Sequence, residues 1–445
     1  LERTYTSLDT TDGPMGVGWT HNHLASIAEQ PGGDVVFRTG DGAQLAYHRE
    51  PDGVYTPAPG VRSTLARMPT GWEVTTQDQR RYTFDSAGRM TGRVDQNGQG
   101  LAYTYDAEGR MATATDAGGR TVSFAYDGDS LLRTMTLADG RTVQYGYTDR
   151  RLTSVTNPAG GVERYTYDAQ GRLAEHFDEN DHRVVFIEYG PDGRVVRQTD
   201  ALGAVGTFAW DSGTQISTYT DARGNQWRDE YAANVLMAQS DPLGNVTRYE
   251  YDDQLNRARV IDPLGHATTM TYDFAGNMVS RADALGNTET SVYDARNHLT
   301  NHTDARGNAT TYVYDVAGNL DRVTRPPSRT TDYTIDGRGL VTSVTDPIGR
   351  ITRYEYDTAG NRTKVTTPRG SITTSTYDGG SRLTAMVSPR GNAAGGTPAE
   401  HRTEFAYDSL DRLAVATDPL GNVSEHSYDA VGNDVETVDA LDRVT

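Results

Sequence analysis

Residues 241–287 read DPLGNVTRYEYDDQLNRARVIDPLGHATTMTYDFAGNMVSRADALGN, one unit written twice. Asp241-Pro242-Leu243-Gly244 is followed by the alternating run Val246 to Tyr251, a second turn and another short run. Asp262-Pro263-Leu264-Gly265 then restarts the cycle. Asp at the first turn position, Pro at the second and Gly at the fourth are type I preferences. Asp273-Phe274-Ala275-Gly276 repeats the Asp and the Gly. A glycine there accepts positive φ and hands the chain back as a bulged hairpin.

Outward from this stretch the pattern fills the chain. From Phe84 a marker aromatic, usually followed by Asp, recurs at Tyr105, Tyr126, Tyr147, Tyr167, Tyr189, Trp210, Tyr231, Tyr251, Tyr272, Tyr293, Tyr314, Tyr356, Tyr377, Tyr407 and Tyr428, with Ile335 in one slot. Of the 16 gaps between these 17 markers, 12 are 21 residues and three are 20 or 22, so a chance origin is excluded. The remaining gap, 30 residues from Tyr377 to Tyr407, predicts a lengthened loop over 390–398. Turn aspartates alternate at 10 and 11 residues, leaving six or seven per strand, near the commonest strand length. Asp346-Pro347-Ile348-Gly349, Asp357 to Gly360 and Asp418-Pro419-Leu420-Gly421 are further corners of this kind.

Within each strand, residues two apart share a face. In Thr247-Arg248-Tyr249-Glu250-Tyr251 the tyrosines therefore stack on one side and the charges on the other. The return strand carries an aliphatic residue such as Leu152 or Leu173, and often a second, such as Val155, three positions on. An odd spacing places those two on opposite faces, which predicts a single sheet mildly apolar on both sides. Tyrosine suits such a sheet because its ring packs across strands while its hydroxyl stays solvated. Thirty-four repeat strands plus several more, at ~4.8 Å each, make a ribbon roughly 190 Å or more across. Strand twist curls a ribbon that wide. The fold expected is therefore all-β, a continuous antiparallel meander curled into a spiral hollow shell or an open section of one.

Composition bounds the function. The 445 residues carry a formal charge of -19, so the electrostatic footprint of a nucleic-acid or anionic-membrane binder is missing. Zero cysteines exclude disulfides, thiol nucleophiles and cysteine zinc sites. No apolar run is long enough for a membrane-spanning helix, and Leu1 opens without a signal-like segment. Among basic residues only Lys364 accompanies the arginines, a bias for which codon usage is a sufficient explanation.

Residues 1–80 are β-like but irregular, and are expected to form a lead-in and capping segment before the repeats of 81–445. Val35-Val36-Phe37 and Leu45-Ala46-Tyr47 flank Gly40-Asp41-Gly42, a hairpin signal, and Trp72 to Val74 with Arg81 to Phe84 suggest another. The glycines and proline of Gly13-Pro14-Met15-Gly16-Val17-Gly18-Trp19 oppose a regular element, and the tryptophan needs a pocket.

Tyr272-Asp273-Phe274-Ala275-Gly276-Asn277 and Tyr356-Asp357-Thr358-Ala359-Gly360-Asn361 resemble the signature of the YD-repeat or Rhs family. That family includes bacterial polymorphic toxins, cocoon-forming subunits of insecticidal toxin complexes, and teneurins. Gly13 to Trp19 resembles the motif that precedes many Rhs shells. The resemblance implies a β-spiral enclosing a C-terminal toxin until delivery. Complete members close with a segment whose aspartates cleave the chain beside DPxGLxxG. Asn245, His266, Arg350 and Asn422 follow the four DPxG corners here, so these are expected to be turns. Relative to such members the repeats look incomplete at the C-terminus.

Other candidate sites reduce to plainer readings. His21-Asn22-His23 spells HNH without the helix or further ligands of that nuclease, and polar packing is expected instead. The turn aspartates lack the glycine-rich nonapeptides of calcium-binding solenoids. Asn245, Asn308, Asn361 and Asn422 fit the glycosylation pattern and equally the turn-to-strand step. No catalytic, metal or cofactor residue is assigned. The function expected is a non-enzymatic shell of a bacterial toxin, secreted or delivered extracellularly. Its expected partners are a cargo polypeptide from the same parent chain and delivery machinery. Self-association through open strand edges is also expected. An adhesion or carbohydrate-binding scaffold is the alternative.

Overall fold

The computed structural model describes residues 1–441 and 443–445. Beyond one helical turn at Pro398–His401, which closes the expected lengthened loop and runs three residues past it, regular structure there is entirely β. From Thr64–Met68 to Asp434–Val438, 36 strands follow one another, each antiparallel to its neighbours in sequence. Among the described residues Thr64–Met68 ladders only with Gly71–Thr75 and Asp434–Val438 only with Val423–Tyr428, so the ribbon is open. Its ladder reaches back to Thr64, before the expected boundary at 80.

One detail of register differs from the expectation and decides the character of the wall. Tyr147 opposes Leu152 and Tyr145 opposes Val155, because a bulge between Gly146 and Tyr147 sets two residues of the return strand against one. The odd spacing is thereby cancelled. Leu152 and Val155, 0% and 5% exposed, lie together on the tyrosine face. The same shift precedes Tyr126, Tyr251, Tyr272, Tyr314 and Tyr356. The sheet is thus two-sided, apolar on one face and polar on the other. On the polar face cross-strand ion pairs run between Glu250 and Arg259 (3.1 Å) and between Glu355 and Lys364 (2.9 Å).

The N-terminal segment lies on the tyrosine face of the earliest repeats. Ser26–Glu29, Val35–Arg38, Gln44–Arg49 and Tyr55–Pro57 form a separate four-stranded sheet, including the expected hairpin at Gly40 to Gly42. Phe37 meets Phe84 edge-on and Tyr82 at a tilt, and His21 stacks on Phe124. Instead of lacking regular structure, Gly13 to Trp19 contains a minimal hairpin, Asp12–Gly13 with Gly16–Val17, that buries Met15 completely. Gly16 has φ +84° and sits so close to Arg150 that an added Cβ would lie 2.3 Å from its carbonyl oxygen. Trp19 occupies the pocket its size demanded, its Nε1–H donating to the Tyr167 hydroxyl at 2.9 Å.

Candidate functional site

The corners carry most of the sequence signal. At Asp262 the main-chain N–H donates to the His266 carbonyl (2.9 Å) and the Gly265 N–H returns to the Asp262 carbonyl (3.0 Å). Asp262 Oδ1 accepts the N–H groups of Leu264 and His266 at 2.9 and 2.8 Å. Gly265 has φ +87° and Pro263 occupies the position that demands no N–H. Asp241, Asp346 and Asp418 accept the same pair of backbone bonds. Gly244, Gly349 and Gly421 match Gly265 at positive φ, as do Gly276 and Gly360 in the corners begun by Asp273 and Asp357. The Asn245 side chain, then its N–H, holds the Asp241 carboxyl below the usual range. Such a carboxylate is an acceptor held as an anion, a poor starting point for proton transfer. Asn245, Asn308, Asn361 and Asn422 bind the aspartate of their own corner at 2.7–2.9 Å.

The marker tyrosines do more than stack. The Tyr126 hydroxyl donates to the Met111 carbonyl fifteen residues back, at 2.8 Å, tying one repeat to the one before. Tyr105, Tyr251, Tyr272, Tyr314, Tyr356, Tyr377, Tyr407 and Tyr428 repeat the bond at 2.7–3.1 Å, so these hydroxyls are spent on backbone rather than on solvent. Tyr293 holds the same strand position, opposite Leu299. The arginine bias also has a structural reason. Arg110 sends Nε to Asp106 (2.7 Å) while its guanidinium lies over the Tyr126 ring, 5.0 Å from its centre. Arg412 does the same between Asp408 and Tyr428. A planar guanidinium can lie flat on a ring while its edge N–H groups reach a carboxylate, a geometry an ammonium lacks.

Contacts between distant repeats show how the ribbon winds. Gln77 bonds Asn277, Asn97 bonds Asn319, Arg141 bonds Asp411, and Asn180 bonds Asp429. Corners opposite the YD turns in the earlier coil thus rest on YD corners of the later one. The separations run from 192 to 270 residues, about nine to thirteen repeats per revolution. This seam is polar, with Asn256, Asn277 and Asn319 buried in it. From Gln77 to Asn180 the earlier coil takes about five corner steps, and from Asn277 to Asp429 the later coil takes about seven over the same sweep. The later coil is therefore wider.

The N-terminal segment closes the narrow end by docking on the free YD corners of the earlier coil. Backbone bonds join Ile27 to Gly88, Leu132 to Pro14 and Val17 to Arg150, and the Tyr5 hydroxyl accepts the Leu173 N–H. His21 and His23 belong to this segment and face the earliest repeats. The His21 ring is 1% exposed and its Nδ1 accepts the His23 N–H, while His23 Nδ1 meets the Tyr103 hydroxyl at 3.0 Å. Burial drives their pKa values down, to about 3 and about 4. Among the described residues no group of three metal-binding side chains forms, at these histidines or elsewhere.

A wound, single-sheet wall of YD hairpins with a docked N-terminal segment defines the class of protein. A family model described as RHS Repeat matches residues 84–121, 126–161, 149–178, 189–226, 293–331, 336–372 and 363–393, just over half of the chain. The chain belongs to that family. A domain of unknown function, DUF6531, matches residues 1–47. Over 260 residues the chain is 36% identical to the tRNA nuclease WapA of Bacillus subtilis strain 168 and 37% identical to the tRNA3(Ser)-specific nuclease WapA of Bacillus spizizenii. In each case the match covers 56% of this chain but only 11% of the relative. The Photorhabdus luminescens Tc holotoxin pore shares the fold with TM-score 0.58 and 16% identity, over 93% of this chain and 26% of that one. The TcdB2–TccC3 complex gives 0.55 and 15%, over 92% and 26%.

Proposed function

We propose that this chain is the closed end of an encapsulating wall from a bacterial Rhs-type toxin. It sequesters a C-terminal toxin or another cargo polypeptide for extracellular delivery. The segment before Thr64 serves as its cap and the ribbon from Thr64 onward, with the repeats of 81–445, as its wall. The observation that carries this reading is the widening spiral, since a ribbon capped at its narrow end and flaring away from it has the geometry of a container. The similarity to proteins named as toxins supports the setting. In this reading the wall is not itself an enzyme. The Asp241, Asp262, Asp346 and Asp418 carboxylates are corner-builders occupied by backbone N–H groups, and the nuclease activity in the relatives' names belongs to parts of those chains that this one does not span.

Electron microscopy of the full-length parent tests the container, with a shell around internal density expected. A solid particle with no lumen would sink the proposal. Incubating this chain with tRNA tests the second part, and no cleavage is expected. Reproducible capture on a glycan array by an empty wall would move the assignment to adhesion.

A further inference from the structure

The floor on which Trp19 stands is built twice. Tyr165 and His176 face each other across neighbouring strands, their rings stacked with centres 4.9 Å apart, and Trp19 meets Tyr165 edge-on at 5.1 Å. Two repeats later, 43 residues on in each strand, Phe208 faces Tyr219 with ring centres 5.1 Å apart. Trp227, opposite Tyr219 on the next strand, extends the row at 5.5 Å. Tyr165 is 6% exposed beneath Trp19, whereas Tyr219 and Trp227 are 38% and 39% exposed. Gly206 lets the Tyr219 phenol lie along the sheet, since a Cβ there would come 2.9 Å from the ring. Beside it is a hollow of about 470 Å³, the size of a ligand site, bordered by Val185, the Gln198 amide and the Tyr219 hydroxyl. This row looks inward. Arg3, His21 and Phe37 of the N-terminal segment reach Glu163, Phe124 and Tyr82 on the tyrosine face, and one body can touch four repeats of a curled sheet only from its concave side.

We infer that Phe208, Tyr219 and Trp227 form an inward-facing seat for an aromatic side chain of a second polypeptide segment, supplied by the cargo. The choice of the cargo as its source rests on the container reading above. A polypeptide is the occupant because the same face already holds one two repeats earlier, and the second floor continues that interface with rings at the same positions. Trp19 is held there by an edge-on ring contact and one N–H donated to a hydroxyl. The second seat offers the same two elements, an open aromatic row and the Tyr219 hydroxyl at its edge. The carboxylates beside the hollow, Asp200 and Asp221, are turned to the N–H groups of their own corners at 2.8 Å, so recognition falls to the rings and not to charge.

The probe is the capped hexapeptide Gly-Val-Gly-Trp-Thr-His, the sequence of residues 16–21, titrated into the purified chain. Trp19 fills the first seat within the chain itself, which leaves the second for the peptide. Saturable binding is expected, weakened at least ~10-fold by the double variant Tyr219→Ser, Trp227→Ser and by replacing the peptide's tryptophan with alanine. Gly206→Ala displaces the Tyr219 ring and should weaken binding by a second route. Hydrogen exchange in the wild type locates the contact, with protection gained on Val205–Asp211, Ile216–Thr220 and Gln226–Ala232. No saturable binding, undiminished binding in the double variant, protection on other strands, or the same protection produced by maltohexaose would each overturn the seat. In the full-length parent, Tyr219 replaced by benzoylphenylalanine should cross-link to the cargo on irradiation. Cross-links confined to the wall, in particles whose internal density is seen, would overturn the cargo as occupant. The peptide reads the seat and imaging of the parent reads the container, so the failure of one is told apart from the failure of the other.

Discussion

Acid should loosen the cap before it touches the wall. His21 titrates near 3 in the folded chain because burial excludes its charged form, and near 6.5 once unfolded. The unfolded state therefore takes up the proton first. Stability from the neutral ring is complete above about pH 6.5 and is lost as pH falls toward 3. Between pH 6.5, where the unfolded ring is half protonated, and pH 4.5, that amounts to about 2 kcal/mol. His23 acts in the same direction and, being partly exposed, adds less. The neighbouring carboxylate does not confuse this window. Despite burial, bonds from His176, Tyr165 and Arg3 hold Glu163 at about 2, so it stays ionised. Native-state hydrogen exchange at the amides of Val35–Arg38, corrected for intrinsic rates, should show opening about 50-fold more frequent at pH 4.5 than at 6.5. His21→Gln should flatten the dependence. Unchanged protection in the wild type, or an equal loss in the variant, would refute the reasoning.

Three further outcomes are expected. Asn319→Ala leaves the Asn97 amide unpaired in the seam and should cost about 1–3 kcal/mol, read as a lower urea midpoint. Gly16→Ala drives a Cβ into the Arg150 carbonyl, so cap amides should lose protection while the far-ultraviolet signal of the wall persists. On prolonged incubation the wild-type chain and Asp241→Ala should each remain a single species near 48.5 kDa by mass spectrometry; a wild-type product cut beside Asp241 would assign chemistry to that corner.

The meander was legible because corner chemistry is local. Asp, Pro and Gly at fixed offsets specify each hairpin without help from the rest of the chain, and the markers from Phe84 to Tyr428 fall where 34 strands pair. What escaped was set by register or by distance. Spacing alone placed Leu152 and Val155 on opposite faces, and the bulge that reunites them has no composition of its own. The seam joins residues 192 to 270 apart, and nothing near Asn319 announces Asn97. The Arg110 bridge was visible in part, since an arginine four residues after a YD aspartate recurs, as at Arg89, Arg382 and Arg412. Composition read that recurrence as bias because the ring it covers belongs to the next repeat.

The two directions of the wall are held by different physics, and this explains how it can widen. Along the ribbon, backbone ladders and Tyr hydroxyls enforce register, since slipping one residue would turn the tyrosine face outward. Across the seam the contacts are amide and guanidinium pairs at corners, with no ladder. Short polar groups at hairpin tips can be re-paired at a new offset at little cost, whereas interlocked aliphatic side chains would fix one offset. A polar seam is thus what lets five corners of one coil sit against seven of the next.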